Sequence, residues 1–599
     1  LEGLLRQVPG TRSTFAERQT GREYVDIVPD REAIARYGLS VRDVLDVIEA
    51  AVGGMPVSTV IDGRARYTVS LRLAADFRAD IQALRALPVQ IPAVAAIAGE
   101  AIGNLRKIVS LGKPAGFFDP SNPAGLQPAK PKGKDEKPKK GKKGEAPKPK
   151  FAERGALLDF ANTDMAFSGD LMIAGSYHGF NTYRLGADGV PTLIGSTVCP
   201  GGQGDVSVVG NLLLMSVEER RARVDCGLQS VPQPVSGERF RGLRIFDISD
   251  PARPRQVGQV QTCRGSHTHS VVDADANRIV VYNSGTSYVR KNEELAGCFD
   301  TAGDETALFS IDVIEIPLAN PAGARIVDRP RVFATQGQIA GLWRGGDHGE
   351  GTQDTDVTDQ CHDITVFPAK KIAAGACSGN GIVLDISDPL KPRRIDDVSD
   401  KGFAYWHSAT FNNDGTKVLF TDEWGGGMRP RCQAGDPRNW GANAFYGLEN
   451  GKLVYRGHYK LPAPQSDKEN CVAHNGSIIP VPGRDIFVQA WYQGGISVID
   501  FTDAANPKEI AFFDRGPIDK DQLVLGGYWS AYWYRGRIYA TEISRGIDVF
   551  ALEPSQFLTA AEIAAAEGAI YPGDLFNPQT QTQVTWPAGL AAAARASRK

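Results

Sequence analysis

The chain lacks several things that would decide its class at once. No run of 18 apolar residues occurs in its 599 positions, so no stretch reads as a membrane-spanning helix. The best candidate, 93–102, is short and carries Glu100. Charge of one sign is lacking too. Lys and Arg number 67 against 70 Asp and Glu, a formal balance of -3, and no global field recruits nucleic acid or an anionic membrane. None of the eight cysteines forms a CxxC pair, which argues against a zinc knuckle, a thioredoxin-like site and haem attachment. There is no GxSxG elbow: Ser378-Gly379 lies in GACSGNG at a hairpin end. The glycine-rich Trp424-Gly425-Gly426-Gly427 has no Lys-Ser after it, and no dinucleotide fingerprint is present. The first residue is Leu and no secretion leader opens the chain, which leads one to expect a fragment or a processed protein.

What is present is a soluble globular composition, 42% hydrophobic and 23% charged, in four segments. Residues 1–92 read as a small α+β unit. Tyr24-Val25-Asp26-Ile27 predicts a strand, Asp30 caps a helix to Tyr37, and Val41–Ala51 is a second helix stopped by Gly53-Gly54. Tyr67–Leu73 alternates as a strand and Ala79–Ala86 returns to helix. Residues 93–154 read as a connector. Its stretch 128–150 is Lys and Pro with almost nothing apolar to bury, so it is expected to be disordered, as a solvated tether or a polycation for acidic polymers. Residues 553–599 form a tail, with Ser555 capping a short helix near 558–567 and a frayed Ala-rich end.

Residues 155–552 repeat. Gly, a short apolar strand and an Asp-hydroxyl-Asp phrase ending in Pro recur as GLRIFDISDPARP (242–254), GIVLDISDPLKP (381–392) and GISVIDFTDAANP (495–507). The aliphatic run builds a buried strand; the Asp accepts from backbone N–H groups ahead of it, and Pro presets the turn. A hairpin precedes each phrase, as in HSATFNNDGTKVLFTDEW (407–424). Hairpin plus phrase plus an outer strand makes four strands, one blade of a β-propeller. Blade starts at Thr163, Gly204, His269, His362, His407, His474 and Trp529 predict seven blades, with insertions at 219–241, 284–306, 335–360 and 425–442 as surface loops. The fold class expected is mainly β: a seven-bladed β-propeller with a small α+β N-terminal fragment.

Two resemblances follow from these residues. LRQVPGT (5–11), YVDIVPDREAIARYGLSVRDVLDVIEAAVGG (24–54) and Ala86-Leu87-Pro88-Val89 resemble the periplasmic porter region of heavy-metal efflux pumps of the resistance–nodulation–division class. Such a piece lacks the pump's membrane helices and implies no transport by itself. The repeated phrases resemble the LVIVD-repeat proteins, propellers of bacterial envelopes and extracellular space. That resemblance implies fold and a periplasmic or extracellular location, and no defined activity.

Chemistry concentrates at the blade starts. Four of seven are His (His269, His362, His407, His474), in a chain with eight His in all. The next column is polar throughout: Asp164, Asp205, Ser270, Asp363, Ser408, Asn475 and Ser530. In a propeller the first strand of each blade lines the central channel, so these rings are expected at one mouth, near Glu423 and Glu542 on the adjoining strand ends. Imidazole with carboxylate suits Zn, Cu, Fe or Mn. A hydrolytic reading makes Glu423 or Glu542 the general base on a metal-bound water. The same column arises without a site, since blades share ancestry and loop histidines bond neighbouring turns. His267, His348 and His458 fall outside the column; His267 precedes His269 by two and can share its side of an extended strand. Tyr405-Trp406, Trp491-Tyr492, Tyr528-Trp529 and Tyr532-Trp533 suit a flat ligand or packing between blades.

Even, scattered cysteines suit an oxidising compartment. Cys361 and Cys377 flank one hairpin and are expected to be neighbours; the sequential pairs 199–226, 263–298 and 432–471 would each staple an insertion. The function expected is a monomeric binding module whose mouth holds a transition metal and takes a small molecule or an envelope or extracellular protein, with no nucleic acid. A metal-dependent hydrolase or oxidoreductase at the same site is the alternative, and a heavy-metal resistance component a third.

Overall fold

A computed structural model describes residues 41–62, 65–72, 100–114 and 162–598, apart from 230, 302 and 426, with isolated positions 7, 9 and 28. The strand at 24–27, the helices at 30–37 and 79–86, and the Lys/Pro stretch 128–150 lie outside the described residues. The chain divides into two compact units, Leu1–Ala93 and Val94–Lys599. In the first, helix Val41–Ile48 widens into the turn Glu49–Gly54. Gly54 takes φ +96°, which ends the helix as glycine permits. A hairpin of Met55–Asp62 and Ala65–Leu71 follows.

The second unit is the propeller. Its blades span residues 165–198, 206–261, 268–328, 363–398, 406–459, 475–514 and 528–552, here blades 1 to 7, each an antiparallel meander from the channel outward. The inner strands of blades 6 and 7 touch as a short parallel pair, Asn475↔Ser530. Blade 7 has three consecutive strands. Its fourth comes from upstream: Leu105–Leu111 pairs with Gly546–Leu552 through Ile547↔Leu111 and Leu552↔Leu105. The neighbouring Ala101–Gly103 extends the outer edge of blade 6. Part of the expected connector is thus the strand that closes the ring.

The repeated phrase does the local work expected of it. Asp247, Asp385 and Asp500 accept from the backbone N–H of Ser249, Ser387 and Thr502 at 2.9, 2.9 and 3.0 Å, closing the turn between third and fourth strands. The glycine before the phrase is required by the fourth strand. At Gly242, φ is +144° and a Cβ would stand 2.0 Å from the Val260 carbonyl oxygen. Aromatic dipeptides split by strand alternation: Trp406, Trp491 and Trp533 are wholly buried, whereas Tyr405, Tyr492 and Trp529 face the channel mouth.

Each meander sends its first strand away from the mouth and its second back, so the turns between strands two and three, and between blades, lie at the mouth. The insertions and all four disulfides sit in or beside those connections. The pairs are Cys199–Cys226, Cys263–Cys298, Cys361–Cys377 and Cys432–Cys471, matching the expected pairing. Four disulfides belong to an oxidising compartment. No described helix is long and apolar enough to cross a membrane.

The far end is closed differently. Residues 574–586 run round it and touch every blade in turn. Tyr534 of blade 7 donates to the Asp574 carbonyl at 2.9 Å, and Leu575–Phe576 pairs with the end of the blade 1 inner strand. The Asn577 amide accepts from Val208 N–H at 2.7 Å and donates to Val208 C=O at 2.9 Å in blade 2. Thr580 donates to Val271 of blade 3, and Gln581 N–H donates to Val366 of blade 4 at 2.7 Å. Asn413 of blade 5 exchanges two bonds with Val584, and the Trp586 indole donates to Pro480 of blade 6. Inner strands have a free edge of unpaired backbone groups, and this tail satisfies part of it. The tail helix Ala560–Glu567 is capped by Thr559 in a capping box; Ser555 instead accepts from Phe557 and Leu558 in the turn before it. The Ala-rich end forms helix Ala588–Ala596, packed on the first, where a frayed end was expected.

Candidate metal centre at the channel mouth

Hairpin register defines the true column. Thr268 pairs with Ser284, Asp363 with Ala376, and the residue before each donates N–H to the same partner's carbonyl, His267 at 3.1 Å and His362 at 2.8 Å. His474 does the same with Ala490 at 3.1 Å. His267, not His269, is the structural equivalent of His362, His407 and His474. Four rings from blades 3, 4, 5 and 6 then stand in a row, with centroids 4.0, 3.9 and 4.4 Å apart.

One nitrogen of each ring is engaged from outside the row. His267 Nδ1 meets Glu218 Oε2 at 2.7 Å, His362 Nδ1 meets Asp363 Oδ1 at 2.9 Å, and His407 Nδ1 lies 3.3 Å from Thr421 Oγ1. His474 Nδ1 donates to the Trp529 carbonyl. The Nε2 atoms are left facing one another and Glu423. His267 and His362 Nε2 are 2.5 Å apart, His407 Nε2 is 3.7 Å from Glu423 Oε2, and His474 Nε2 is 3.6 Å from Glu423 Oε1. Ligand atoms of His362, His407 and Glu423 all lie within 4.8 Å of one another, and all three residues are buried. Fixing one imidazole nitrogen and presenting the other is how proteins orient histidine ligands.

Electrostatics agree with that division. Burial, and the neighbouring rings, push His407 well below the ordinary imidazole range, and burial takes His474 to about 3. Burial opposes charge on His267 as well, but Glu218 beside it outweighs this and raises its pKa. Burial raises Glu423 to about 7, against the 2.5 Å hydrogen bond donated by Tyr492. Tyr492 holds that position from a left-handed backbone, φ +52°, an uncommon conformation for a bulky residue and one that gathers at functional sites. Over the row opens a cavity of about 750 Å³ walled by Tyr177, Tyr405, Trp424, Tyr492 and Trp529, with exposed Asp354 and Asp356 at its edge. Imidazoles held neutral at His407 and His474, with one carboxylate beneath an aromatic-walled cavity, can hold a borderline transition metal and admit a small organic molecule.

Two expected site residues stand elsewhere. His269 turns toward blade 2, its Nδ1 2.8 Å from Ser216 Oγ and 3.1 Å from Asp205 Oδ2. Glu542 spends its carboxylate on the backbone N–H groups of Gly527, Ser544 and Arg545, which fixes a turn. Glu218 and Tyr492 complete the site. Tyr492 carried an aromatic signal at a blade end; Glu218, just before the insertion at 219–241, carried none.

Residues 1–109 match the AcrB/AcrD/AcrF family. The nickel-cobalt-cadmium resistance protein NccA of Alcaligenes xylosoxydans xylosoxydans is 43% identical over 94 residues, 16% of this chain and 9% of that protein. The cation efflux system protein CusA of Escherichia coli strain K12 is 42% identical over 92 residues, 15% of this chain and 9% of that one. The chain therefore spans about 9% of the length of these curated relatives. Among solved structures, a putative 6-phosphogluconolactonase from Bacteroides uniformis aligns with TM-score 0.39 and 9% identity over 71% of this chain and 97% of that one. BamB from Moraxella catarrhalis aligns with TM-score 0.33 and 12% identity, covering 64% and 82%. Likenesses at these TM-scores carry no argument about activity. The N-terminal part of the chain is similar to the porter region of metal efflux pumps, and the β-propeller that follows stands on its own strand topology.

Proposed function

We propose that this protein is a periplasmic or extracellular β-propeller whose channel mouth binds one transition metal through His267, His362, His407, His474 and Glu423, and uses that centre to hold a small molecule in the cavity above. The observation that carries the reading is the close grouping of His362, His407 and Glu423 ligand atoms, within 4.8 Å. Nothing in the blade core requires three such groups to converge. The disulfides and the resemblance of the repeats to envelope propellers support the location. The relatives that the N-terminal part of the chain matches are named for nickel, cobalt and cadmium resistance and for cation efflux, which adds an association with metal cations. Purified full-length protein, stripped with EDTA and titrated with Zn²⁺ or Cu²⁺, is expected to take up one equivalent. His407→Ala and Glu423→Gln are each expected to weaken uptake by at least about hundredfold, since losing even an outer partner of a ligand costs about 10–100-fold. Uptake unchanged in both variants ends the proposal.

A second reading is favoured by the aromatic-walled cavity and the Tyr492–Glu423 pair: a metal-dependent hydrolase or oxidoreductase. The metal would supply Lewis-acid or redox chemistry, and Glu423, raised by burial, would accept a proton from the substrate side. Turnover of ester, phosphoester or phenol probes that is lost in Glu423→Gln at saturating metal separates the enzyme from the binding module.

A further inference from the structure

The cavity over the imidazole row has an acidic edge that the metal centre does not use. Asp354 and Asp356 border it from the insertion at 335–360, and both are exposed. Between them Thr355 is buried, at 2% exposure. Thr355 N–H donates to the Gly346 carbonyl and its own carbonyl accepts from Gly346 N–H, both at 3.0 Å; the Trp343 indole donates to that carbonyl at 3.3 Å. His348 stacks on Trp343 with centroids 3.9 Å apart, so the insertion carries a small core of its own. Thr355 is thus pinned in a strand-like bridge, and alternation sets the two carboxylates on the side opposite it. Neither Asp has a hydrogen bond or ion pair among the described residues.

Charge around the cavity does not balance. Glu423 beneath it and Glu218 behind His267 would offset a divalent metal. Arg221 is the one Arg or Lys of the lining among the described residues, and it acts on Glu219. Asp354 and Asp356 are left over. Their field reaches the walls: burial, then Glu423 and Asp356, push the Tyr405 phenol upward. Burial, then Glu218, with Glu219 and Glu423 after it, does the same to Tyr177. Both rings therefore stand in negative potential.

Aromatic walls below an unbalanced acidic edge suit a molecule that is flat and apolar at one end and positively charged at the other. Trp529 stands nearly at right angles to Tyr177 and Tyr492, at 84° and 85°, so the walls turn a corner instead of lying in one plane. We propose that the cavity selects an arylalkyl amine, its ring among Tyr177, Tyr405, Tyr492 and Trp529 and its ammonium at Asp354 and Asp356, which are the specificity-determining residues. This ligand class deepens the small-molecule reading of the cavity and rests on it. A neutral or anionic molecule of the same shape leaves the two carboxylates without a counter-charge.

The test titrates full-length protein, loaded with Zn²⁺, with 2-phenylethylamine, 2-phenylethanol and 3-phenylpropionate, read by calorimetry and tryptophan fluorescence. The amine is expected to bind about tenfold more tightly than the alcohol, the sum of two partly screened ion pairs, with the propionate weakest. That margin is expected to shrink as NaCl is raised. Asp354→Asn with Asp356→Asn is expected to bring the amine to the alcohol's level and to keep the alcohol's affinity and the zinc equivalent. Both side chains are exposed, so the fold is not at stake. Asp354→Lys with Asp356→Lys is expected to turn the preference to the propionate. Equal binding of the three probes by protein that takes up zinc overturns the amine selectivity and leaves the metal centre standing, as does a preference that survives in the Asn double variant. An amine preference in protein that takes up no zinc keeps the selectivity and ends the metal centre instead. Protein that binds none of the three overturns the selectivity together with the small-molecule reading.

Discussion

The two ends of the channel are built on opposite plans. The mouth has long connections, four disulfides and the imidazole row. The far end has short turns, no disulfide and a tail that visits all seven blades through hydrogen bonds. Covalent staples hold loops too irregular to pair, and a polar strap serves where regular strand edges are available to pair with. The difference teaches that the imidazole row and the pairing of inner-strand edges lie at separate ends of one channel.

The comparison breaks most severely at the strap. Deleting residues 571–599 removes contacts to every blade and exposes inner-strand edges. At about 1 kcal/mol net for each of eight hydrogen bonds from tail to blades, the loss is about 8 kcal/mol, read by chemical denaturation, with metal uptake intact in the folded fraction. Next comes the staple beside the site. Replacing Cys361 and Cys377 by Ser together is expected to cost about 3 kcal/mol and, because Cys361 precedes His362, to weaken metal uptake as well. A metal affinity that survives that change but falls on tail deletion would reverse the assignment of the two ends.

Smaller effects sharpen it. Glu469, in the mouth connection before blade 6, is pushed by burial to about 7. The native state then binds a proton that the unfolded chain has released. Its contribution is present in full below about pH 4.5 and is lost as pH rises to about 7. Glu469→Gln is expected to flatten about 3 kcal/mol of that slope in a stability–pH profile. At the far end, Asn577→Ala leaves Val208 N–H and C=O without their amide partner, costs about 1 kcal/mol, and leaves the pH profile and metal uptake unchanged.

The blades were legible because their signal is local. Glycine, apolar strand and Asp-turn lie within a dozen residues, and each part has one physical job. The Cys361–Cys377 neighbourhood followed from one hairpin for the same reason. The closing strand was not legible: Leu105–Leu111 reads as any strand, and nothing in LRKIVSL announces a partner at Gly546–Leu552. The strap has no periodicity, since Asn577, Thr580 and Trp586 act through single side chains. At the mouth, the structure brings His362, His407, His474 and Glu423 together and puts His267, not His269, in their row. The pairs His269-Ser270 and His407-Ser408 look equivalent in sequence. Bulges between Val271 and Asp273 and between Trp406 and Ala409 insert extra residues, so counting from the dipeptide misses the register.

The borrowed strand of blade 7 has a consequence for cutting the molecule. A protease that severs the polypeptide anywhere between Lys113 and Asn162 divides the covalent chain yet leaves the ring whole, because Leu105–Leu111 stays zipped to Gly546–Leu552. The smaller product, carrying the porter-like residues, would co-purify with the larger under native conditions and part from it in denaturant. A recombinant propeller begun at residue 155 would lack its last slat.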